Sequence, residues 1–415
     1  MPEITRVLYA DRVKVLGGRD ATVLEQDCVR IMIDDLGGMV PELSYKREKG
    51  RINAHWLPWF RSNTETPFNE AAARFWKVNL LHHIAGNFPC APNFGGDNDL
   101  DGMELPPHGW TANLSWRFCE KGANEKAVWA ISEMDSPESK IPLSFRKIDA
   151  AVSGHAVHYS GLVITNRGTD DIEICAAWHN TVGSPFLQSG CRISGAANRW
   201  TTALKGGEFE ATTRLALNAE FDSLAAAPLA AGGTADISIV PGPIGYTDFA
   251  CGVIPETASL GWSAVVNPHL KMAYVCFFTG AAAAAEDDII LRFNDLWMQY
   301  GGRFYTPWAA YDGGTDLTYC LGTENSAAGF AEGLRFAREI KQLMGAPTTV
   351  RIPAGKSRTL RYGTLFSPYD GAVLDSGVCS AAAGKDSLIL AGKNGTGHFT
   401  ADPAFKILKE IEAKT

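Results

Sequence analysis

Residues 87–116 read NFPCAPNFGGDNDLDGMELPPHGWTANLSW, a stretch of proline turns, paired glycines and an acidic loop that leads into Pro-Pro-His-Gly-Trp. Pro107 disfavours a helical backbone in the residue before it, and Gly109 lets the chain turn at almost no steric cost. His108 is therefore presented on a tight turn, where its imidazole can meet a ligand. The alternative is a turn histidine that only caps the neighbouring backbone.

Two later stretches also place polar side chains at the ends of short apolar strands. Residues 164–187, ITNRGTDDIEICAAWHNTVGSPFL, read as strand, turn and second strand, followed by His179 and a polar loop. Residues 318–330, TYCLGTENSAAGF, read as another strand that delivers Glu324 into a loop. Because a β scaffold can build a site from several strand ends, His108, His179 and Glu324 are candidates for one shared site, although such a pattern also arises by chance.

The chain has the rhythm of an all-β protein. Short strand-like runs separated by Gly, Asn, Asp and Pro recur between residues 127 and 292, whereas helical spacing is confined to residues 326–344 and 402–413. This rhythm favours a β-sandwich over βαβ units. No fixed repeat or low-complexity linker is visible. We predict a large antiparallel β-sandwich with a few short helices, built as a single domain over residues 1–415 with insertions.

The motifs resemble those of the aldose 1-epimerase, or galactose mutarotase-like, superfamily. GNFPCAPNFG followed by PPHGWTANLSW is similar to the run that carries the first histidine of the hexose-6-phosphate mutarotases. ITNRGTDDIEICAAWH is similar to the strand pair before that group's second histidine, and LGTEN resembles the segment with its catalytic glutamate. IPAGKSRTLRYGTLF resembles the closing strand pair. The resemblance covers residues 37–366 approximately and implies the galactose mutarotase-like supersandwich fold.

The resemblance implies an enzyme that interconverts the anomers of a free aldose by opening its ring. Glu324 would be the base, His179 the acid, and His108 would hold the ring-oxygen region of the sugar. Acid and base are sufficient for this reaction, so we expect no metal and no organic cofactor. We expect the tips of the three side chains to line one cavity, with His179 and Glu324 roughly 5–8 Å apart.

Five further residues are candidates for binding the sugar. The resemblance offers Asn93 and Trp110 from the first motif, and more weakly Asp248, whose segment is similar to one that presents an aspartate to sugar hydroxyls. An exposed turn aspartate is the alternative for Asp248. Trp56 and Trp59 lie in an aromatic run and could stack on the C–H face of a sugar, or else plug the space beneath a long loop.

One departure from the family pattern bears on the substrate. Ala112 stands where the phosphate-binding members have arginine, so a guanidinium fork for phosphate is missing at that position. We therefore expect free sugars to be preferred over sugar phosphates. A hexose-6-phosphate 1-epimerase remains an alternative, as does a non-catalytic carbohydrate-binding protein of the same fold.

The resemblance implies a small-molecule sugar as the partner, and the composition bears on the other classes of partner. The formal net charge of −8 and the lack of a basic run argue against nucleic acid and do not favour a membrane surface. Residues 281–285 are too short an apolar run to span a bilayer, and the N-terminal residues do not resemble a secretory signal. Assembly as a monomer or a homodimer is left open.

The cysteines and one acidic loop complete the sequence expectations. Nine cysteines without a C-x-x-C pair are typical of small core residues in a reducing compartment, so we expect a cytoplasmic protein. Asp97, Asp99 and Asp101 spell the start of a calcium loop, but His108 stands where its closing acid belongs. We therefore favour a solvated acidic turn and predict no metal site.

Overall fold

A computed structural model describes residues 8–15, 18–62, 68–96, 98–100, 102–205 and 213–414. Within these ranges the chain forms 32 strands, five short α-helices and two 3₁₀-helices. Asp97 and Asp101 of the calcium-like loop lie outside the described residues.

The first half of the chain contains strands β1 to β16 and helices α1 to α3. The strands are β1 (Tyr9–Val15), β2 (Arg19–Glu25), β3 (Val29–Asp34), β4 (Glu42–Lys46), β5 (Arg51–Asn53), β6 (Phe88–Cys90), β7 (Asn98–Leu100), β8 (Met103–Leu105), β9 (Arg117–Ala123), β10 (Ala127–Asp135), β11 (Leu143–Val152), β12 (Val157–Asn166), β13 (Ile172–Ile174), β14 (Ala177–His179), β15 (Thr181–Gly183) and β16 (Arg192–Gly195). The helices are α1 (Glu70–Trp76), α2 (Asn79–His83) and α3 (Trp110–Asn113).

The second half contains the remaining strands, the two 3₁₀-helices and helices α4 and α5. The strands are β17 (Arg199–Thr202), β18 (Glu220–Phe221), β19 (Ala227–Pro228), β20 (Thr234–Ala235), β21 (Tyr246–Val253), β22 (Leu260–Asn267), β23 (Met272–Thr279), β24 (Phe293–Tyr300), β25 (Tyr319–Ser326), β26 (Gln342–Leu343), β27 (Ala346–Pro347), β28 (Val350–Ile352), β29 (Ser357–Pro368), β30 (Ser380–Ala383), β31 (Ser387–Gly392) and β32 (Gly395–Thr400). The 3₁₀-helices are Leu224–Ala226 and Ala281–Ala283, and the α-helices are α4 (Gly333–Ile340) and α5 (Lys406–Glu412).

Two large antiparallel sheets form the sandwich, which confirms the predicted fold class. The back sheet has the strand order β16-β22-β23-β29-β12-β11-β10-β9. The front sheet has the order β18-β17-β21-β24-β25-β14-β6, and β15 also pairs with β25. Strands β1 to β5 form a separate N-terminal sheet, and small sheets of two or three strands complete the described part of the chain.

The main core lies between the front and back sheets. Trp178 on β14 stacks on Tyr362 of β29 with ring centroids 5.2 Å apart, and the Tyr362 hydroxyl donates a hydrogen bond to Asn325 on β25. Ser263 of β22 donates to the Thr323 carbonyl over 3.1 Å. Since side chains alternate along a strand, Glu324 points away from this core, towards the outer face of the front sheet.

The helices are shorter than the sequence predicts. Strand β25 continues to Ser326, and Gly329 and Phe330 then adopt φ angles of 61° and 73°, which belong to a turn rather than to a helix. Only Gly333–Ile340 of the predicted helix over residues 326–344 is α-helical. The C-terminal helix, Lys406–Glu412, lies inside the predicted range 402–413.

All nine cysteines fall in the described residues, and each is a free thiol. Within the same ranges, the helices are too short and too polar to cross a membrane.

Buried histidines fix the N-terminal segments to the sandwich. His55 is hydrogen-bonded through Nδ1 to the Val40 carbonyl over 2.6 Å, and its Nε2 lies 3.3 Å from the Tyr274 hydroxyl. His83 donates through Nε2 to the Ala112 carbonyl over 3.0 Å. Burial lowers the pKa of both histidines from 6.5 to about 3, so each imidazole stays neutral in the folded protein at physiological pH.

This burial predicts a loss of stability in mild acid. The unfolded chain binds protons on His55 and His83 below its pKa of 6.5, whereas the folded chain does so only near pH 3, so stability is lost as the pH falls between these values. At pH 5 we expect a cost of about 2 kcal/mol per histidine relative to pH 7. Urea unfolding at the two pH values measures it, and His55→Gln should reduce the loss. Equal free energies of unfolding at both pH values would contradict the prediction.

Candidate active site

One row of side chains crosses five strands on the outer face of the front sheet. The strand register pairs Cys251 with Asp295, Asp295 with Glu324, and His179 with Phe88. Trp178 pairs with Asn325, and the same register continued by one residue sets His179 opposite Glu324. Because directly opposite residues on neighbouring strands share a face, the two candidate catalytic residues are neighbours.

Glu324 and His179 are in direct contact. His179 Nε2 lies 3.1 Å from Glu324 Oε1, and both side chains are buried. The predicted separation of roughly 5–8 Å is wrong. The physical reason is that strands β14 and β25 are adjacent in the sheet, which brings the two side chains closer than residues on separate walls of a cavity.

Burial favours the uncharged form of both partners. It raises the pKa of Glu324 well above its usual value of 4.5, and the charge of Asp295 adds to the effect. It lowers the pKa of His179 well below 6.5, with a smaller contribution from His108. The resting pair is therefore a protonated carboxyl that donates to a neutral imidazole.

The surroundings of His179 fix its orientation and tautomer. Its ring stacks on Phe88, with centroids 4.4 Å apart and planes 14° apart. Thr181 Oγ1 lies 3.1 Å from His179 Nδ1 and is placed to accept the Nδ1 proton. With Nδ1 protonated, Nε2 is left as the acceptor that faces Glu324.

His108 occupies the tight turn that the sequence predicts, and it does so in a strained conformation. Its φ is 58°, in the left-handed region, and the following Gly109 has φ 78°. A Cβ on Gly109 would lie 2.3 Å from the Ala91 carbonyl oxygen, so only glycine fits there. The His108 amide donates to the Gly95 carbonyl over 2.8 Å, which ties the turn to residue 95.

The His108 ring lies at right angles to the His179 ring, with centroids 4.8 Å apart. The Gly95 amide donates weakly to His108 Nδ1 over 3.4 Å, which leaves the proton of the neutral ring on Nε2. Burial lowers the pKa of His108 to about 3. His108 is therefore a neutral hydrogen-bond donor next to the Glu324–His179 pair.

All three residues line one cavity of about 380 Å³, a volume within the usual range for small-molecule sites. The remaining lining is largely apolar, with two cationic side chains. It comprises Lys77, Val78, Leu80, Leu81, Ile84, Gly95, Gly96, Pro107, Phe249, Trp297, Arg303, Tyr305, Pro307, Trp308 and Ala331.

The aromatic and cationic residues that line one wall of this cavity were not predicted from the sequence. Trp297 faces His179 with centroids 6.1 Å apart, and the Arg303 guanidinium carbon lies 3.9 Å from the Trp308 ring centroid. Arg303 is almost fully buried. A Gly-Gly pair followed by Arg-Phe-Tyr and Pro-Trp was the available signal, because it marks a turn that carries large side chains.

All five predicted sugar-binding residues lie outside the cavity lining. Asn93 donates through Nδ2 to the carbonyls of Gly96 and Pro106 and accepts from the Leu334 amide, so its amide group supports the turn that carries His108. Trp110 is buried in α3. The exposed-turn alternative for Asp248 is wrong, because this residue is fully buried and paired with Arg214 at 2.8 Å.

The two tryptophans of the aromatic run differ in exposure. Trp56 is buried and contacts Trp297 edge-on at 5.9 Å, so it packs behind the cavity wall as the plug alternative describes. Trp59 is 44% exposed and contacts Phe60 edge-on. Neither tryptophan lines the cavity.

Gly322 leaves room for the Glu324 carboxyl group. Gly322 and Glu324 lie on the same face of β25, two residues apart. A Cβ at Gly322 would lie 2.6 Å from Glu324 Oε1 and 3.0 Å from Trp297 Cβ. The absence of a side chain at this position therefore lets the carboxyl group lie close to the sheet.

Because Glu324 is buried, we predict that its ionisable carboxyl group lowers the stability of the folded protein at neutral pH. Its folded pKa is raised above the unfolded value of 4.5, so the unfolded chain loses its proton first and stability falls as the pH rises through and above 4.5. Glu324→Gln keeps the shape and a donor for His179 Nε2 but removes the ionisation. We expect the variant to be more stable than the wild type at pH 7 by roughly 1 kcal/mol.

Thermal unfolding of both proteins at pH 7 and at pH 4 measures this gain. The gain should shrink at pH 4, where the carboxyl is protonated in both states. A variant that is less stable than the wild type at pH 7 would contradict the protonation state assigned to Glu324.

Comparison with solved structures bears on the fold. A provisionally assigned aldose 1-epimerase from Klebsiella pneumoniae subsp. pneumoniae is similar with a TM-score of 0.59 and 13% identity, over 84% of this chain and 79% of that one. A galactose mutarotase-like protein from Clostridium acetobutylicum is similar with a TM-score of 0.57 and 10% identity, over 87% and 99%. A provisionally assigned mutarotase from Salmonella typhimurium gives 0.53 and 13%, over 87% and 94%.

No family model and no curated protein matches the sequence. The layered antiparallel sheets and the three solved structures nevertheless agree over most of the chain. The protein has the galactose mutarotase-like β-sandwich fold, as the sequence motifs predict.

Proposed function

We propose that the protein is an aldose 1-epimerase-like isomerase, which interconverts the anomers of a small-molecule sugar by general acid and base catalysis. The observation that carries the proposal is the 3.1 Å contact between Glu324 and His179 in the cavity that also holds His108. A carboxyl and an imidazole in hydrogen-bond contact can exchange one proton between them.

The reaction needs that exchange. The resting pair is a neutral carboxyl and a neutral imidazole, because burial opposes charge on both. Transfer of the Glu324 proton to His179 Nε2 gives a carboxylate and an imidazolium. The carboxylate is then the base and the imidazolium the acid that the resemblance implies.

Ring opening restores the neutral pair. The Glu324 carboxylate takes the proton of the C1 hydroxyl, the O1 electrons form the carbonyl, the C1–O5 bond breaks, and O5 takes a proton from His179 Nε2. Rotation about C1–C2 and the reverse steps then give the other anomer. One proton leaves the sugar and one arrives, so the net charge of the site is unchanged.

His108 would act on the sugar as a hydrogen-bond donor. Its ring lies next to that of His179, and the neutral ring keeps its proton because burial lowers its pKa to about 3. A donor near the ring oxygen would stabilise the charge that develops on O5 as the C1–O5 bond breaks.

The apolar wall suits the C–H faces of a sugar. Trp297 and Trp308 line the cavity at a ring-centroid separation of 6.0 Å, and aromatic faces stack well on such surfaces. Burial of Trp56 behind Trp297 holds this wall in place.

The test is polarimetry on a panel of free and phosphorylated aldoses. We expect the wild type to accelerate mutarotation of at least one sugar. Glu324→Gln should lower kcat by roughly 10³-fold while sugar binding, measured by calorimetry, is retained. His179→Gln should give a loss of similar size, and the exposed His398→Gln is the matched control.

Two outcomes separate the alternatives. Sugar binding without any acceleration of mutarotation would contradict the enzyme and favour the non-catalytic carbohydrate-binding protein. Undiminished rates in Glu324→Gln would contradict the assignment of the base.

One observation favours a hexose-6-phosphate 1-epimerase. The cationic side chains of Lys77 and Arg303 line the cavity, and guanidinium groups bind phosphate well. Against it, position 112 lacks the family's arginine, although Ala112 is fully buried and outside the cavity lining. Higher kcat/KM for glucose 6-phosphate than for glucose and galactose would establish this alternative over the free aldose.

The free thiols are the basis for a proposed cellular location. Nine free cysteines, most of them buried, support a reducing compartment such as the cytoplasm.

A further inference from the structure

Asp295 is a buried carboxylate for which the reaction outlined above has no use. It lies on β24 directly opposite Glu324 of β25 and is fully buried. Opposite residues in an antiparallel pair have Cβ atoms about 4.5–5.5 Å apart, on the same face of the sheet. Two carboxyl groups at this separation in a buried site cannot both carry a charge without a large energetic cost.

We propose that Asp295 is a positioning residue, which acts through Glu324 by placing a second carboxyl group across the β24–β25 strand pair from the catalytic one. The inference rests on the proposed function for its consequence in catalysis, but the coupling of the two carboxyl groups is a property of the fold alone.

The hydrogen bonds of Asp295 differ from those of Glu324. Ser326 Oγ, two residues along β25 on the same face, donates to Asp295 Oδ2 over 2.6 Å. The Cys251 thiol, opposite Asp295 on β21, is a further hydrogen-bond partner. Glu324 has instead the uncharged His179 imidazole as its partner. Hydrogen-bond donors stabilise a carboxylate, so Asp295 ionises before Glu324 does.

The pKa directions agree with this order. Burial raises the pKa of Asp295 to about 6, and the hydrogen bonds from Ser326 and Cys251 limit the rise. The pKa of Glu324 is raised well above its usual value, first by burial and then by Asp295. Near neutral pH the two groups therefore share one negative charge, which lies on Asp295.

The other titratable or charged groups that face this pair come from several elements. They are His179 on β14, Cys90 on β6, Cys251 on β21, Cys320 on β25, and Lys77, His108 and Arg303 on the cavity wall. Of these, His179 contacts Glu324 and Cys251 contacts Asp295.

An ionised Asp295 keeps the proton on Glu324. Its negative charge opposes formation of the Glu324 carboxylate, which the proposed proton transfer to His179 requires. When Asp295 is protonated this opposition is lost, so the rate should rise as the pH drops through about 6.

The first test needs no catalytic activity. Glu324→Gln stabilises the protein in part by removing the interaction with Asp295, so this gain should be smaller in an Asp295→Asn background. A double-mutant cycle at pH 7 by urea unfolding should show a coupling of roughly fivefold in the unfolding equilibrium constant. Asp402→Asn, a buried aspartate at the start of α5, is the matched control and should show no coupling. An absence of coupling between positions 295 and 324 overturns the proposal.

The second test is the pH dependence of kcat/KM for the sugar identified by polarimetry. In Asp295→Asn the limb near pH 6 should disappear, and the rate above pH 7 should rise roughly two- to fivefold with little change in KM. A purely structural role would instead lower the rate equally at all pH values and leave the limb in place. That result would overturn the catalytic part of the proposal.

Ser326→Ala is a second variant that tests the proposal even if Asp295→Asn does not fold. Loss of the Ser326 hydroxyl removes a donor to Asp295, so the limb should move to higher pH while the rate at high pH is kept. An unchanged limb in Ser326→Ala counts against the proposal. If the double-mutant cycle shows coupling but the wild type does not accelerate mutarotation, the proposed function is contradicted. The interaction between Asp295 and Glu324 is then still supported.

Discussion

The hydrogen bond between Glu324 and His179 is the interaction on which the candidate site depends. It exists because β14 and β25 are neighbours in register, which sets the two residues opposite each other on one face of the front sheet. Burial then makes both partners neutral at rest, and a neutral pair that exchanges one proton can give both an acid and a base. The same burial that equips the pair for proton transfer opposes the charged forms that the proposed reaction uses.

Strand β25 serves two purposes through its alternation. Thr323 and Asn325 take part in the contacts between the front and back sheets, where the Asn325 side chain accepts a hydrogen bond from the Tyr362 hydroxyl. Glu324 and Ser326 point to the outer face, towards the cavity and towards Asp295. Packing on one side therefore holds the chemical groups on the other side within fixed distances.

Loops complete the site from outside the sheet. The turn at His108 is held by glycine on its C-terminal side and by the hydrogen bonds of Asn93, while residues 303–308 supply a cation and aromatic rings. This division, in which strands carry the proton-transfer groups and loops close the cavity, is typical of sites on rigid β scaffolds.

The sequence by itself determined the all-β class, the turn at His108 and the strand that ends at His179, because these depend on local alternation, glycine and proline. The predicted loop position of Glu324 is wrong, because β25 continues through this residue to Ser326. Its motifs also indicated the galactose mutarotase-like fold, which the solved structures support. The short α4 shows a limit of local pattern: apolar spacing over residues 326–344 predicted a helix, but the positive φ angles at Gly329 and Phe330 delay its start to Gly333.

Only the tertiary structure decided which strands are neighbours. The adjacency of β24, β25 and β14 turns three distant carboxyl and imidazole groups into one row, and no local pattern contains that information. For the same reason, the distance predicted between His179 and Glu324 was too long. The sequence patterns also did not indicate that Asp295 and Arg303 lie near this pair, or that Asp248 pairs with Arg214. Pairing between strands is a long-range interaction, set by how whole sheets pack, whereas sequence patterns report the backbone within a few residues.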